Sequence, residues 1–344
     1  MLTLADDVKK IKNLKGEFMK DNSQPQNSFL NTFNNTSFLL TEGAIIERLK
    51  REFCIHLDKD ILPAGLIYDE KGIEVLSLIY KQYIDIADFY NIPIMLMTPT
   101  RRATVERINR SIYHDKSVIK DCVEFLEDLR ENYPSHKNKI FIGGLMGCKG
   151  DAYNPNEALE TSEAYEFHKL QAELFKQTNV DFLFAGVLPA KSEAIGIAKA
   201  MAETGIPYIL SFVIRKSGSL LDGTIINDII VEIDNTITPK PLCYMVNCVH
   251  PVVLQEALSN PLNKTALVRE RLIGIQANTS TASPEDLNNN INLQTDDFDI
   301  LINSMIELKD NNNFKILGGC CGTDNRHIEE LARRATKDTN TDII

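Results

Sequence analysis

Apolar residues in this chain fall into short runs separated by longer mixed stretches. Eight runs stand out: SFLLTE (37–42), IPIMLMT (92–98), KIFIGGL (139–145), VDFLFAG (180–186), PYILSFV (207–213), LCYMVNC (242–248), RLIGIQA (271–277) and FKILGG (314–319). Several are apolar without alternation, as strands are when both faces are covered. Between them, apolar residues recur three and four positions apart, the spacing of one helix face. That spacing predicts helices over 70–90, 102–131, 160–178, 191–204, 251–259, 284–290 and 297–310, with HIEELARRAT (327–336) closing the series. Eight strands alternating with helices predict an α/β chain folded as a (β/α)8 TIM barrel. A doubly wound open sheet is the competing arrangement. No G-x-G-x-x-G follows an early strand, which weakens its dinucleotide-binding form.

Ahead of Phe38 the pattern changes. Residues 4–20 fit a short amphipathic helix, and DNSQPQNSFLNTFNNTS (21–37) reads as a mobile linker or extended arm because it is rich in Asn, Gln and Ser. The expected organisation is an N-terminal extension over 1–36, partly helical at most, and one barrel domain over 37–340. A hydrophobic share of 43% and a charged share of 25% suit a globular protein of 344 residues. No apolar run reaches the ~18 residues a membrane helix needs. The first residues lack the basic-then-apolar order of a signal peptide, so the expected location is cytoplasmic. A net charge of −11 argues against nucleic acid or an anionic membrane as a main partner.

The seven cysteines are an odd number at uneven spacing, which disfavours a disulfide framework. Barrel active sites form at the C-terminal ends of strands. Three cysteines fall there: Cys248 after the sixth run, and Cys320 and Cys321 after the eighth. Three thiolates with an open fourth position would suit a catalytic zinc ion. Buried core cysteines and a vicinal redox pair are the other readings. Cys54, Cys122 and Cys243 read as core residues, and Cys148 as core despite its place at a strand end. Gly318 and Gly319 are expected to let the backbone bend so that both neighbouring thiols face one ion.

Two motifs, VNCVHP (246–251) and GGCCGTDNRHI (318–328), together resemble the zinc-dependent homocysteine S-methyltransferase family. TEGAIIERL (41–49), MTPTRRAT (97–104), GGLMG (143–147) and LSFVIRKSGSLLDGT (210–224) add weaker support, and the resemblance runs from about 38 to about 336. It implies a (β/α)8 barrel, a cytoplasmic enzyme of methionine biosynthesis, and Zn2+ held by Cys248, Cys320 and Cys321, with no catalytic residue beyond that site. The acceptor thiol would complete the metal sphere. Methyl would come from a small donor such as S-methylmethionine. Family barrels that work with separate corrinoid or folate partners, and a non-catalytic zinc- or thiol-binding protein, are the alternatives. The partners expected are a small-molecule thiol acceptor and methyl donor, with a homo-oligomer left open.

The substrate-binding residues expected are Glu42, Gly43, Thr98, Asn247 and Gln276. Two departures from the family pattern matter. Glu42 stands where Asp is usual. Ala185-Gly186-Val187-Leu188-Pro189 stands where a Phe-Glu-Thr-x-Pro type sequence is usual, so one amine-binding carboxylate is missing if Gly186 takes the Glu position. Asn278 reads as a further second-layer contact. His250 and His327 read as non-ligands, Arg215 and Asp222 as a surface pair or turn, and Arg101, Arg102, Arg107 and Arg110 as a solvated helix face.

Overall fold

The computed structural model describes residues 28–283 and 295–337. Its centre is eight parallel strands in sequence order, closed into a barrel by pairing of the first with the last. They are β1 (Leu39–Thr41), β2 (Ile94–Met97), β3 (Ile140–Gly147), β4 (Phe182–Leu188), β5 (Tyr208–Phe212), β6 (Tyr244–Val249), β7 (Leu272–Ala277) and β8 (Ile316–Gly319). Each lies within or overlaps one of the eight apolar runs. All but one of their side chains are buried, which explains the missing alternation: one face packs inside the barrel and the other against helices.

The helices are α1 (Ser28–Asn35), α2 (Ile46–Arg51), α3 (Glu70–Phe89), α4 (Val105–Arg110), α5 (Val118–Glu131), α6 (Thr161–Lys176), α7 (Lys191–Ala202), α8 (Ile226–Thr236), α9 (Pro251–Ser259), α10 (Ala266–Arg271), α11 (Phe298–Asn312) and α12 (Asn325–Lys337). The single helix expected over 102–131 is two. Ser111 ends α4 in extended backbone, and its hydroxyl donates to the Ile108 carbonyl, closing the turn locally. The helices expected at 4–20 and 284–290 lie outside the described residues.

The polar stretch read as a linker is helical over Ser28–Asn35. Its Asn and Ser residues face solvent while Phe29 and Phe33 are buried. Phe29 stacks on Phe182 at a centroid distance of 4.5 Å and tilts against Phe141 at 5.3 Å. Both helix residues join the barrel-interior cluster of Leu39, Met95, Ile209, Cys243 and Met245, at the end where the strands begin. Composition hid this helix because only two side chains anchor it.

Candidate functional site

The opposite end of the barrel, where the strands finish, is irregular. The β4–β5 register shifts between Ala185 and Leu188, and the β6–β7 register between Asn247 and Val249. At these bulges Val187 and Cys248 have φ of 56° and 57°. That conformation is uncommon for any side-chain-bearing residue and strained for a β-branched one. The Asn247 side chain ties both bulges together: its Oδ1 accepts from the Val187 N–H at 3.0 Å and from the Ser211 hydroxyl at 2.9 Å. The bulge re-aims Cys248 toward β8.

Cys320 and Cys321 follow β8 in a turn. The Cys320 N–H donates to the Ala277 carbonyl at 2.7 Å, and the Thr323 hydroxyl donates to the Cys320 carbonyl at 2.7 Å. The bend expected at Gly318 and Gly319 is at Gly322 instead, with φ of 83°. Gly318 and Gly319 serve close approach. A Cβ on Gly318 would lie 1.9 Å from Thr41 Oγ1, and one on Gly319 2.0 Å from Thr323 Oγ1.

The outcome is a convergence of sulfur. The Sγ atoms of Cys248, Cys320 and Cys321 all lie within 4.8 Å of one another, with Cys321 4.0 Å from each of the other two. Thiolates held at ~2.3 Å by one tetrahedral ion sit roughly 3.8 Å apart, so the trio fits such an ion with small adjustments. No other metal-ligand cluster of this kind occurs among the described residues. Within the trio, hydrogen bonds from Cys320 and then Cys321 hold the Cys248 thiol well below the usual thiol range, helped by the Tyr153 hydroxyl and the Arg101 charge. The same bonds push Cys320 and Cys321 up. Sulfurs packed against Ala152, Val187, Val213 and Leu221 have little water to stabilise charge.

A cavity of about 640 Å³ opens onto the sulfurs. Glu42, Gly43, Thr98, Asn247 and Gln276 all line it. Glu42 is buried, both its oxygens accept from the Met97 N–H at 3.2 Å, and burial raises its carboxyl to about 8. A Cβ on Gly43 would lie 2.7 Å from the Tyr83 hydroxyl oxygen. Thr98 accepts from the Leu145 N–H at 2.9 Å, so it both ends a strand and faces the cavity. Gln276 donates to the Thr41 hydroxyl at 3.3 Å. Gly186 also lines the cavity, and a Cβ there would meet Phe184 at 3.1 Å, Leu145 at 3.3 Å and Asn247 Nδ2 at 3.4 Å.

Other candidates fall elsewhere. His250 caps α9 through Nδ1, which accepts from the Val252 N–H. His327 pairs with Asp324 at 2.8 Å in the first turn of α12. Asn278 accepts from the Ser280 N–H in a turn. Asp222 accepts from the Lys191 N–H at the start of α7. Cys148 is buried and donates to the Gly150 carbonyl, and Cys243 lies in the barrel core. The arginine-rich stretch is not one solvated face: Arg107 and Arg110 hold Asp60, whereas Arg101 and Arg102 line the cavity. Tyr153 was missed. It sits in the loop that follows β3, outside the apolar run itself, and only the fold brings it to Cys248.

A family model described as homocysteine S-methyltransferase matches residues 39–335. The chain belongs to the homocysteine S-methyltransferase family. It is therefore a methyltransferase that acts on a small thiol. Among solved structures, the metallated form of the homocysteine methyltransferase MmuM from Escherichia coli superposes with a TM-score of 0.71 at 19% identity, covering 89% of this chain and 99% of that one. The oxidised form gives 0.71 at 18% identity over 90% and 100%, and the apo form 0.65 at 18% over 89% and 99%. Identities this low establish the shared barrel alone. No curated protein matches the sequence. No helix among the described residues is long and apolar enough to cross a membrane.

Proposed function

We propose that this methyltransferase is zinc-dependent and moves a methyl group from a small onium donor, of the S-methylmethionine kind, to homocysteine or a related thiol. Cys248, Cys320 and Cys321 would hold the zinc. The observation that carries the reading is the meeting of three sulfurs, from two different strand ends, on a cavity large enough for a small donor and acceptor. The metallated relative supports a metal in this fold.

Bound zinc would keep an acceptor thiol as its thiolate, whereas a free thiol of pKa ~8.5 is mostly protonated at neutral pH. The chain's own residues do the rest. Asn247 fixes the Cys248 bulge, Thr323 fixes the Cys320 turn, and the apolar lining excludes water from the sulfurs. In the transfer, the acceptor sulfur forms a bond to the methyl carbon as the donor's bond to that carbon breaks. The bonding pair leaves with the donor, which departs neutral. Such a step depends on in-line placement of two reactants more than on proton transfer.

Incubation of the zinc-loaded protein with S-methylmethionine and homocysteine is expected to yield methionine, and Cys248→Ala to yield none. Methylation of homocysteine by wild type and Cys248→Ala at equal rates would overturn the proposal.

A further inference from the structure

The charges around the cavity are unevenly committed. Its carboxylates are Glu42, Glu47, Asp151 and Glu157. Glu42 accepts from the Met97 N–H, and Glu47 from the Gly322 N–H while pairing with Arg51 at 3.4 Å. Asp151 Oδ1 accepts from the Tyr153 N–H at 3.0 Å, and Glu157 accepts from the Asp151 N–H at 2.8 Å and from Asn154 at 3.0 Å. Arg102 is committed as well, donating to the Lys149 carbonyl at 3.1 Å and the Gly150 carbonyl at 2.5 Å.

Arg101 differs. Among the described residues it has neither an ion-pair nor a hydrogen-bond partner, yet it is only partly exposed and lines the same cavity as the three sulfurs. Its stem is pinned across the end of β3: a Cβ on Gly147 would lie 2.7 Å from Arg101 Cγ and 2.9 Å from its carbonyl oxygen. Its charge acts on the Cys248 thiol but meets no carboxylate among the described residues, and its planar fork matches one. Meanwhile the end of β4 offers an incoming ammonium group no carboxylate, since Gly186 faces Phe184, Leu145 and Asn247.

We propose that Arg101 reads a carboxylate on the acceptor thiol, and that the acceptor needs no ammonium group: its class is a mercaptocarboxylate, of which homocysteine is an aminated member. This rests on the reading of the cavity as a thiol methyltransferase site. Arg101 is a specificity-determining residue in that account and takes no part in breaking or forming bonds.

The test is calorimetric binding of four matched thiols to the zinc-loaded full-length protein: homocysteine, mercaptobutyrate, aminopropanethiol and propanethiol. These carry both charged groups, the carboxylate alone, the ammonium alone, and neither. Wild type should bind the two carboxylates within about threefold of each other and roughly tenfold to a hundredfold tighter than the other two, the range of a charge-assisted contact. Arg101→Gln should lose that preference while still binding propanethiol, and Arg101→Lys should keep part of it. Butyrate, which has no sulfur, should compete with mercaptobutyrate in wild type alone.

If Arg101→Gln keeps the preference, or aminopropanethiol binds as tightly as mercaptobutyrate, the inference is overturned while the thiol site stands. An Arg101→Gln defect confined to S-methylmethionine would give the residue to the donor and overturn it equally. Failure of every thiol to bind, propanethiol included, would sink the methyltransferase reading and this inference with it.

Discussion

Where the strands begin, Phe29 and Phe33 close the barrel against Phe141, Phe182 and Met245, and among the described residues no strand position there has positive φ, although the β6–β7 register slips once between Tyr244 and Met245. Where they end, Val187 and Cys248 have positive φ, two registers slip, Glu42 is buried, and three sulfurs share one space. One set of strands thus carries two kinds of local order. The first end supplies apolar burial and little chemistry. The second holds strained backbone and crowded thiols that regular strands would not produce, and it depends on the rest of the barrel to hold them.

Breaking the chemical end should cost activity without unfolding the protein. Cys320→Ser removes one sulfur from the trio, and methyl transfer should fall at least about 100-fold, more than loss of an outer contact to a metal ligand costs. With both proteins stripped of metal by a chelator, the unfolding midpoints of variant and wild type should agree. A matching loss of stability would show the two ends are not separable.

Breaking the apolar end should do the reverse. Phe29→Ala removes a buried ring and should cost about 3–5 kcal/mol by chemical denaturation, with turnover per folded molecule unchanged. Gly318→Ala tests the border between the ends. Its new Cβ would collide with Thr41, so overpacking of about 1–3 kcal/mol is expected together with a partial loss of metal affinity, because Gly318 sits two residues before Cys320.

Per pH unit, the smallest step is a slope set by Glu42. The folded pKa of Glu42 is raised from 4.5 to about 8 by burial, so between those values the folded protein holds a proton that the unfolded chain has lost. The contribution is fully present below 4.5 and is lost as pH rises through about 8, at about 1.4 kcal/mol per pH unit. Denaturation of Glu42→Gln across that window should lack this slope. An identical slope in the variant would assign it to another group.

The sequence placed all eight strands because a doubly covered strand is an uninterrupted apolar run, and run length alone marks it. The thiol trio was legible for a related reason: strand ends are where barrels gather chemistry, so Cys248, Cys320 and Cys321 could be grouped before any contact was known. What stayed hidden depends on contacts between residues distant in the chain. Tyr153 and Arg101 lie on loops whose paths over the cavity no periodicity encodes. The role of Gly318 and Gly319 is set by Thr41 and Thr323 rather than by their own backbone angles. Helix α1 escaped because two buried phenylalanines in a polar stretch are too few to change its composition.

The central claim is that the end with strained backbone is a zinc site. Metal analysis of freshly purified, reduced protein tests it most directly. The account predicts about one zinc per chain in wild type, lost in Cys248→Ser and retained in Phe29→Ala. Protein without zinc that still methylates a thiol, or zinc retained at full stoichiometry in Cys248→Ser, would contradict it.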